Sequence, residues 1–235
     1  MDSNYNDHIV DGFDLSLKAS DINIQGDFVN GCFVLSHILQ QLYLVSSANQ
    51  TMGDKMLDFY FRLISTRKRE QNWPQVFPLN LAFFARLFYS GYDDAIKKNL
   101  NGKELFKNDI ILFPICMDGY YFMLCIFDLR KKELSIYDSM GRKSQMELNS
   151  VLEIIWSFLD ETHRLKFNKQ LSKSEFKFTI QDDAPVAKTP QDCGIYVCLY
   201  AECVTRDDKL KLKNTSLYYR YQIMHDVVKK TLSFQ

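Results

Sequence analysis

The chain has 235 residues, 46% hydrophobic and 14% aromatic, with 29 basic side chains balanced by 29 acidic ones. That length and apolar content fill one compact domain with a proper core. A formal net charge of zero removes any global electrostatic case for nucleic acid or for an anionic membrane surface.

No apolar run approaches a membrane span, and the opening MDSNYNDHIVDGFD has neither a basic n-region nor an apolar h-region. Neither a transmembrane nor a secretory protein is expected. The cysteines, Cys32, Cys116, Cys125, Cys193, Cys198 and Cys203, contain no CxxC pair, and His8, His37, His163 and His225 lack metal-ligand spacing. They read as reduced thiols and ordinary histidines of a cytosolic or nuclear protein, with no metal site and no cofactor implied.

In chain order, residues 1–33 are polar and acidic, with Asp2, Asp7, Asp11, Asp14, Asp21 and Asp27 set against Lys18 alone. They read as an extension or docking arm ahead of a domain that fills 34–235. The run VLSHILQQLYLV over 34–45 is dense in apolar residues, as one helix or as a helix and a strand. GDKMLDFYFRLIST over 53–66 places Met56, Leu57, Tyr60, Leu63 and Ile64 on one helical face, and Arg67, Lys68 and Arg69 follow where they suit the helix dipole. After Pro74 and Pro78, LNLAFFARLFYSGY predicts a second helix ending near Gly91, followed by a polar stretch rich in lysine and asparagine.

The pattern then changes to short apolar runs, DIILFPI over 109–115, YFMLCIFD over 121–128 and ELSIYD over 133–138, which predict a central sheet. Helical spacing returns over 147–162, FKFTIQ over 176–181 alternates as a strand does, and helices are expected over 192–204 and 217–232. The C-terminal end is basic, with Arg206, Lys209, Lys211, Lys213, Arg220, Lys229 and Lys230. Helices on both sides of a consecutive strand group define an α+β domain.

Cys193 stands in TPQDCGIYVCLY, where an Asp-Cys-Gly turn leads into a buried helix. Backbone N–H groups at a helix N-terminus favour a thiolate and can hold an oxyanion. The plainer alternative is a small, semi-buried core cysteine.

The ordered blocks FPLNLAFFARLFYSGY, NDIILFPI, MLCIFDLRKKELSIYDSMG, QDCGIYVCLYAECV and YYRYQIMHDVVKKTL resemble the Ulp and sentrin/SUMO-specific protease family of cysteine isopeptidases, from about Met52 to Leu232. The resemblance implies a papain-like, Ulp-type fold, a central mixed sheet flanked by helices. It places Cys193 at the nucleophile and Asp138 at the acid that orients a histidine, with Asp128 as a separate aspartate. The histidine position falls on Tyr121, and the oxyanion glutamine position falls on Ala187, Gln191 being close but out of register. The two tryptophan positions that clamp the modifier's tail fall on Thr51 and Phe122. Asp54 is either a modifier contact or simply a helix-start carboxylate.

Those exchanges matter chemically. A histidine partner lowers a papain-type thiol to about 3–4 from about 8.5, whereas a phenol near 10 holds its proton too tightly to shuttle it at pH 7. Losing general acid–base help costs about 10²–10⁴ in rate, and losing an oxyanion donor about 10²–10³. The resemblance therefore implies a catalytically inactive SUMO-protease-like protein, nuclear or cytoplasmic, that binds protein partners such as SUMO or another ubiquitin-like modifier. The alternative is an active deSUMOylating isopeptidase that uses Cys193 with a displaced base. With no imidazole to orient, Asp138 is expected either to accept a hydrogen bond from Tyr121 or to be exposed.

Overall fold

The computed structural model describes residues 51–67, 73–99, 104–212, 214–229 and 232, together with a short hairpin formed by Ile9–Val10 (β1) and Phe13–Asp14 (β2). The apolar run over 34–45 lies outside the described residues, as does most of the acidic extension.

The scaffold is a five-stranded mixed sheet in the order β3-β4-β5-β6-β7, with β3 at Val76–Pro78, β4 at Ile110–Met117, β5 at Tyr121–Asp128, β6 at Glu133–Asp138 and β7 at Lys177–Ile180. The outer pairs are parallel and the inner pairs antiparallel. Every residue of β5 is buried, which is why YFMLCIFD is apolar on both faces: a central strand covered on both sides has no polar face to show. Between β4 and β5 lie Asp118 and Gly119, both at positive φ. They are the central residues of a turn closed by the Tyr120 N–H on the Met117 carbonyl, and the three-residue connection 118–120 pairs Met117 with Tyr121. The register of Tyr121 thus follows from an Asp-Gly turn. The edge strand β3, not anticipated from sequence, is three residues long and ends at a proline, a position where the missing N–H costs the ladder nothing.

The helices are α1 at Asp54–Thr66, α2 at Ala82–Ser90, α3 at Tyr92–Asn99, α4 at Gln145–Phe167, α5 at Cys193–Val204 and α6 at Ser216–Lys229. α2 stops where expected, at Gly91 with φ +83°. The polar stretch after it opens as helix α3, with Asp93 and Asp94 in its first turn and Ala95 buried. α4 begins with a reciprocal capping box, Ser144 accepting from the Glu147 N–H while Glu147 accepts from the Ser144 N–H, and it runs five residues past its expected end to a left-handed Asn168. α5 is buried at ten of its twelve positions. A helix apolar all round belongs inside a domain, and α5 packs between β5, α1 and α6.

Arg67 does more than complement the end of α1. It donates to Glu202 Oε1 of α5 at 2.8 Å and to the Thr205 carbonyl at 2.5 Å, beneath a Trp73 ring whose centroid lies 4.4 Å from its guanidinium carbon. Glu202 is 1% exposed, and burial, only partly offset by Arg67 and Arg206, raises its carboxyl to about 7. A folded-state value above the unfolded one means a stability contribution present at low pH and lost as pH rises through about 7. Glu202→Gln is expected to remove that slope. In urea melts between pH 5 and 8, the wild type should lose stability relative to the variant as pH rises; parallel curves would contradict this.

Candidate active site

Three elements meet around Cys193: the first turn of α5, the start of β5 and the end of β6. Proline sets up the approach, a short 3₁₀ turn over Pro190–Asp192 running directly into α5. Arg220 of α6 locks that turn. Its Nε donates to Asp192 Oδ1 at 2.8 Å and its guanidinium to the Gln191 carbonyl at 2.5 Å, with the arginine 1% exposed. Gln191 is therefore held by its backbone.

Cys193 is 0% exposed, and its Sγ donates to the Tyr120 carbonyl at 3.1 Å. Here the helix N-terminus and burial pull in opposite directions. Burial pushes the thiol up, and the N–H groups of Phe122 and Gly194 recover only part of it. Ser139 is close by, but its hydroxyl donates to the Phe122 carbonyl, so its single proton is already used. Of the two readings of Cys193, a thiol activated by the helix terminus and a small core cysteine, burial favours the second, because desolvation of the charged form outweighs a half-charge dipole.

Asp138, 8% exposed, accepts from four donors: Tyr121 OH at 2.5 Å and the Met140 N–H at 3.0 Å on Oδ1, and the Arg142 and Lys143 N–H groups at 2.9 Å on Oδ2. The Arg142 N–H is shared with the Tyr121 oxygen at 3.2 Å. Of the two outcomes expected for Asp138, the buried hydrogen bond is the one present. The carboxylate gathers the 138–143 turn and delivers the chain to the Ser144 cap. Burial, followed by the hydrogen bond to Asp138, holds the Tyr121 phenol far above its ordinary value. The phenol keeps its proton and donates it to Asp138.

The remaining sequence-derived positions fall as follows. Ala187 is buried, and its N–H donates to the Ser139 carbonyl at 2.7 Å, which ties the loop before Cys193 to the Asp138 turn. Phe122 is 1% exposed, presenting no wall to solvent, whereas Thr51 is exposed. Between them sequence reasoning missed Met52. It is 1% exposed, and its Cβ lies 3.1 Å from where a Gly194 side chain would begin, with Phe122 Cδ2 at 3.6 Å from the same point. The first turn of α5 is thus wedged between Met52 and Phe122, a close approach at which any side chain on residue 194 would make its neighbours give by a few tenths of an ångström. Asp54 opens α1, exposed in its first turn. Asp128 accepts from the Arg130 and Lys131 N–H groups and caps the β5–β6 turn. His163 bonds the Lys169 carbonyl through Nδ1, and His225 stands 3.6 Å from Asp226 on α6. Among the described residues no cluster of three His, Cys, Asp or Glu side chains suits a metal, and no helix is long and apolar enough to cross a membrane.

A cysteine opening a buried helix against the end of a mixed sheet, with an aspartate on the next strand, defines a papain-like cysteine-peptidase fold. Residues 50–229 match the Ulp1 protease family, C-terminal catalytic domain, and the chain belongs to that family. Among curated relatives, human sentrin-specific protease 2 is 31% identical over 158 residues, 66% of this chain and 26% of that protein. The sentrin-specific protease of Caenorhabditis elegans is 23% identical over 183 residues, 77% and 25% respectively. The chain thus spans about a quarter of the length of each. The C-terminal Ulp1 protease domain in complex with Smt3, the yeast ortholog of SUMO, superposes with TM-score 0.68 at 20% identity, covering 82% of each chain. The Xanthomonas campestris effector XopD bound to ubiquitin gives TM-score 0.53 at 16% identity over 76% of this chain and 92% of that one. These superpositions establish the fold.

Tyr121→Phe removes one of the four donors to Asp138, with the three backbone N–H groups left in place. It is expected to cost about 1–3 kcal/mol, read as a lower urea midpoint with an unchanged slope. A loss below about 0.5 kcal/mol would mean that the phenol contributes no net hydrogen-bond energy.

Proposed function

We propose that this chain is a non-catalytic member of the Ulp1 family that acts as a protein-binding module, with SUMO or a related ubiquitin-like protein as its ligand. The observation that carries the reading is the state of the two groups a peptidase would need. The nucleophile position holds a buried, neutral thiol that donates to a carbonyl, and the base position, as the resemblance assigns it, holds a phenol that donates to Asp138. A proton has no acceptor on this path. Ala187 at the glutamine position supplies no side-chain donor to an oxyanion, and its N–H is already bonded to Ser139.

The ligand class is supported by the company the fold keeps: one neighbour was solved with Smt3 and another with ubiquitin. Met52 and Phe122, packed on Gly194, favour recognition of the modifier's folded body over threading of its extended tail. An intracellular setting, nuclear or cytoplasmic, goes with the same reading.

The test uses SUMO and ubiquitin carrying a C-terminal electrophile, followed by intact mass, beside titration calorimetry with unmodified SUMO. No covalent adduct is expected while non-covalent binding is retained. An adduct that Cys193→Ala abolishes would overturn the reading in favour of a working isopeptidase with a displaced base.

A further inference from the structure

The closed site leaves an unusual surface around its mouth. Tyr120, whose carbonyl takes the Cys193 thiol, is 52% exposed; Val186, next to Ala187, is 46% exposed; Met146, in the first turn of α4, is 77% exposed. Val186 lies against Gly141, its Cγ1 3.2 Å from where a side chain there would begin, so it borders the same turn that Asp138 gathers. Exposed cations stand among them. Arg142 and Lys188 are solvent-facing and form no ion pair among the described residues, while Lys143 lies over the Tyr121 ring and pairs with Glu147 at 3.4 Å. The acidic residues nearby are Glu147, already engaged by Ser144 and Lys143, Asp118 in the turn before Tyr120, and the exposed Asp182 and Asp183 earlier in the loop that carries Val186. The rim is therefore apolar around two cations, Arg142 and Lys188, that form no ion pair among the described residues.

The same chain carries a segment of complementary character. Residues 1–33 hold six aspartates against one lysine, with Ile9, Val10 and Phe13 set between Asp7, Asp11 and Asp14. Ile9–Val10 and Phe13–Asp14 pair antiparallel around Asp11-Gly12, a strong two-residue hairpin signal. A lone two-stranded hairpin is marginal in water and needs a surface to cover. The chain's entry point favours the rim as that surface. Met52, near the start of the described domain, is wedged on Gly194, beside Cys193. Residues 34–50, fully extended, span up to about 55 Å, enough to return to the rim.

We infer that the acidic segment 1–33, through its hairpin at residues 9–14, docks in cis on the rim formed by Tyr120, Arg142, Met146, Val186 and Lys188, and competes there with a protein ligand. Salt-sensitive attraction aligns the segment, and burial of apolar side chains on both partners holds it. The competition rests on the binding reading given above; the docking does not.

The test is zero-length carbodiimide cross-linking of the full chain, run on an equal mixture of ¹⁵N-labelled and unlabelled protein and mapped by mass spectrometry. Amide links from Asp7, Asp11 or Asp14 to Lys188 or Lys143, within one isotopic chain, are expected. Arg142→Glu, which keeps the backbone N–H that Asp138 uses, should lower their yield at least about fivefold by like-charge repulsion, with an unchanged urea midpoint showing that the fold is intact. Links confined to other lysines such as Lys209 and Lys211, links between isotopic chains, or no links from the segment would each overturn the inference. Electrophile labelling of Cys193 alongside the expected links would remove the binding reading and leave the docking standing.

Discussion

The site depends first on the carboxylate of Asp138. Buried at the end of β6, it is satisfied by one phenol and three backbone N–H groups. A buried charge must be solvated by something, and here the protein supplies a cage of donors in place of water. That requirement shapes the chain on both sides: the 138–143 turn curls around the carboxylate, α4 starts from its end, and Tyr121 is held with its hydroxyl inward. An imidazole could play the same partner to this aspartate and also exchange a proton. This phenol keeps its proton, donating it to Asp138.

The second determinant is α5. Twelve residues with scarcely a polar side chain run through the middle of the domain, so every group at the helix start is desolvated along with it. The dipole at that terminus favours a thiolate by an amount that falls off within a turn, whereas burial opposes charge wherever water is excluded. Met52 and Phe122 close over Gly194 and keep water out, and the Arg220–Asp192 pair holds the turn before Cys193 from the other side. The same packing that buries the helix pushes up the thiol of its first residue.

Much of the scaffold was readable in the residues. β5 and β6 occupy the runs their composition marks, and the Asp118-Gly119 turn sets the register that puts Tyr121 at the head of β5. Other elements were hidden for physical reasons. β3 is too short, and too close to prolines, to show alternation. α3 is short and holds few apolar residues, Tyr92, Ala95 and Ile96, too few to show a helical period. Within the site, local spacing picked out Cys193, and the resemblance picked out Asp138, Tyr121, Ala187 and Phe122. Met52, Ser139 and Arg220 were not visible, since their roles come from contacts between elements distant in sequence. The burial that decides the protonation of Cys193 is likewise a tertiary property that no motif carries.

The central claim is that Cys193 is a neutral thiol at physiological pH, and its titration tests this most directly. The difference in ultraviolet thiolate absorbance between the wild type and Cys193→Ser, followed against pH in the folded protein, isolates that one group. The account predicts a midpoint above the value of about 8.5 for a free cysteine. A midpoint at or below that value would contradict it, and one near the range of about 3–4 seen for a histidine-paired thiol would mean that an activating base is present after all.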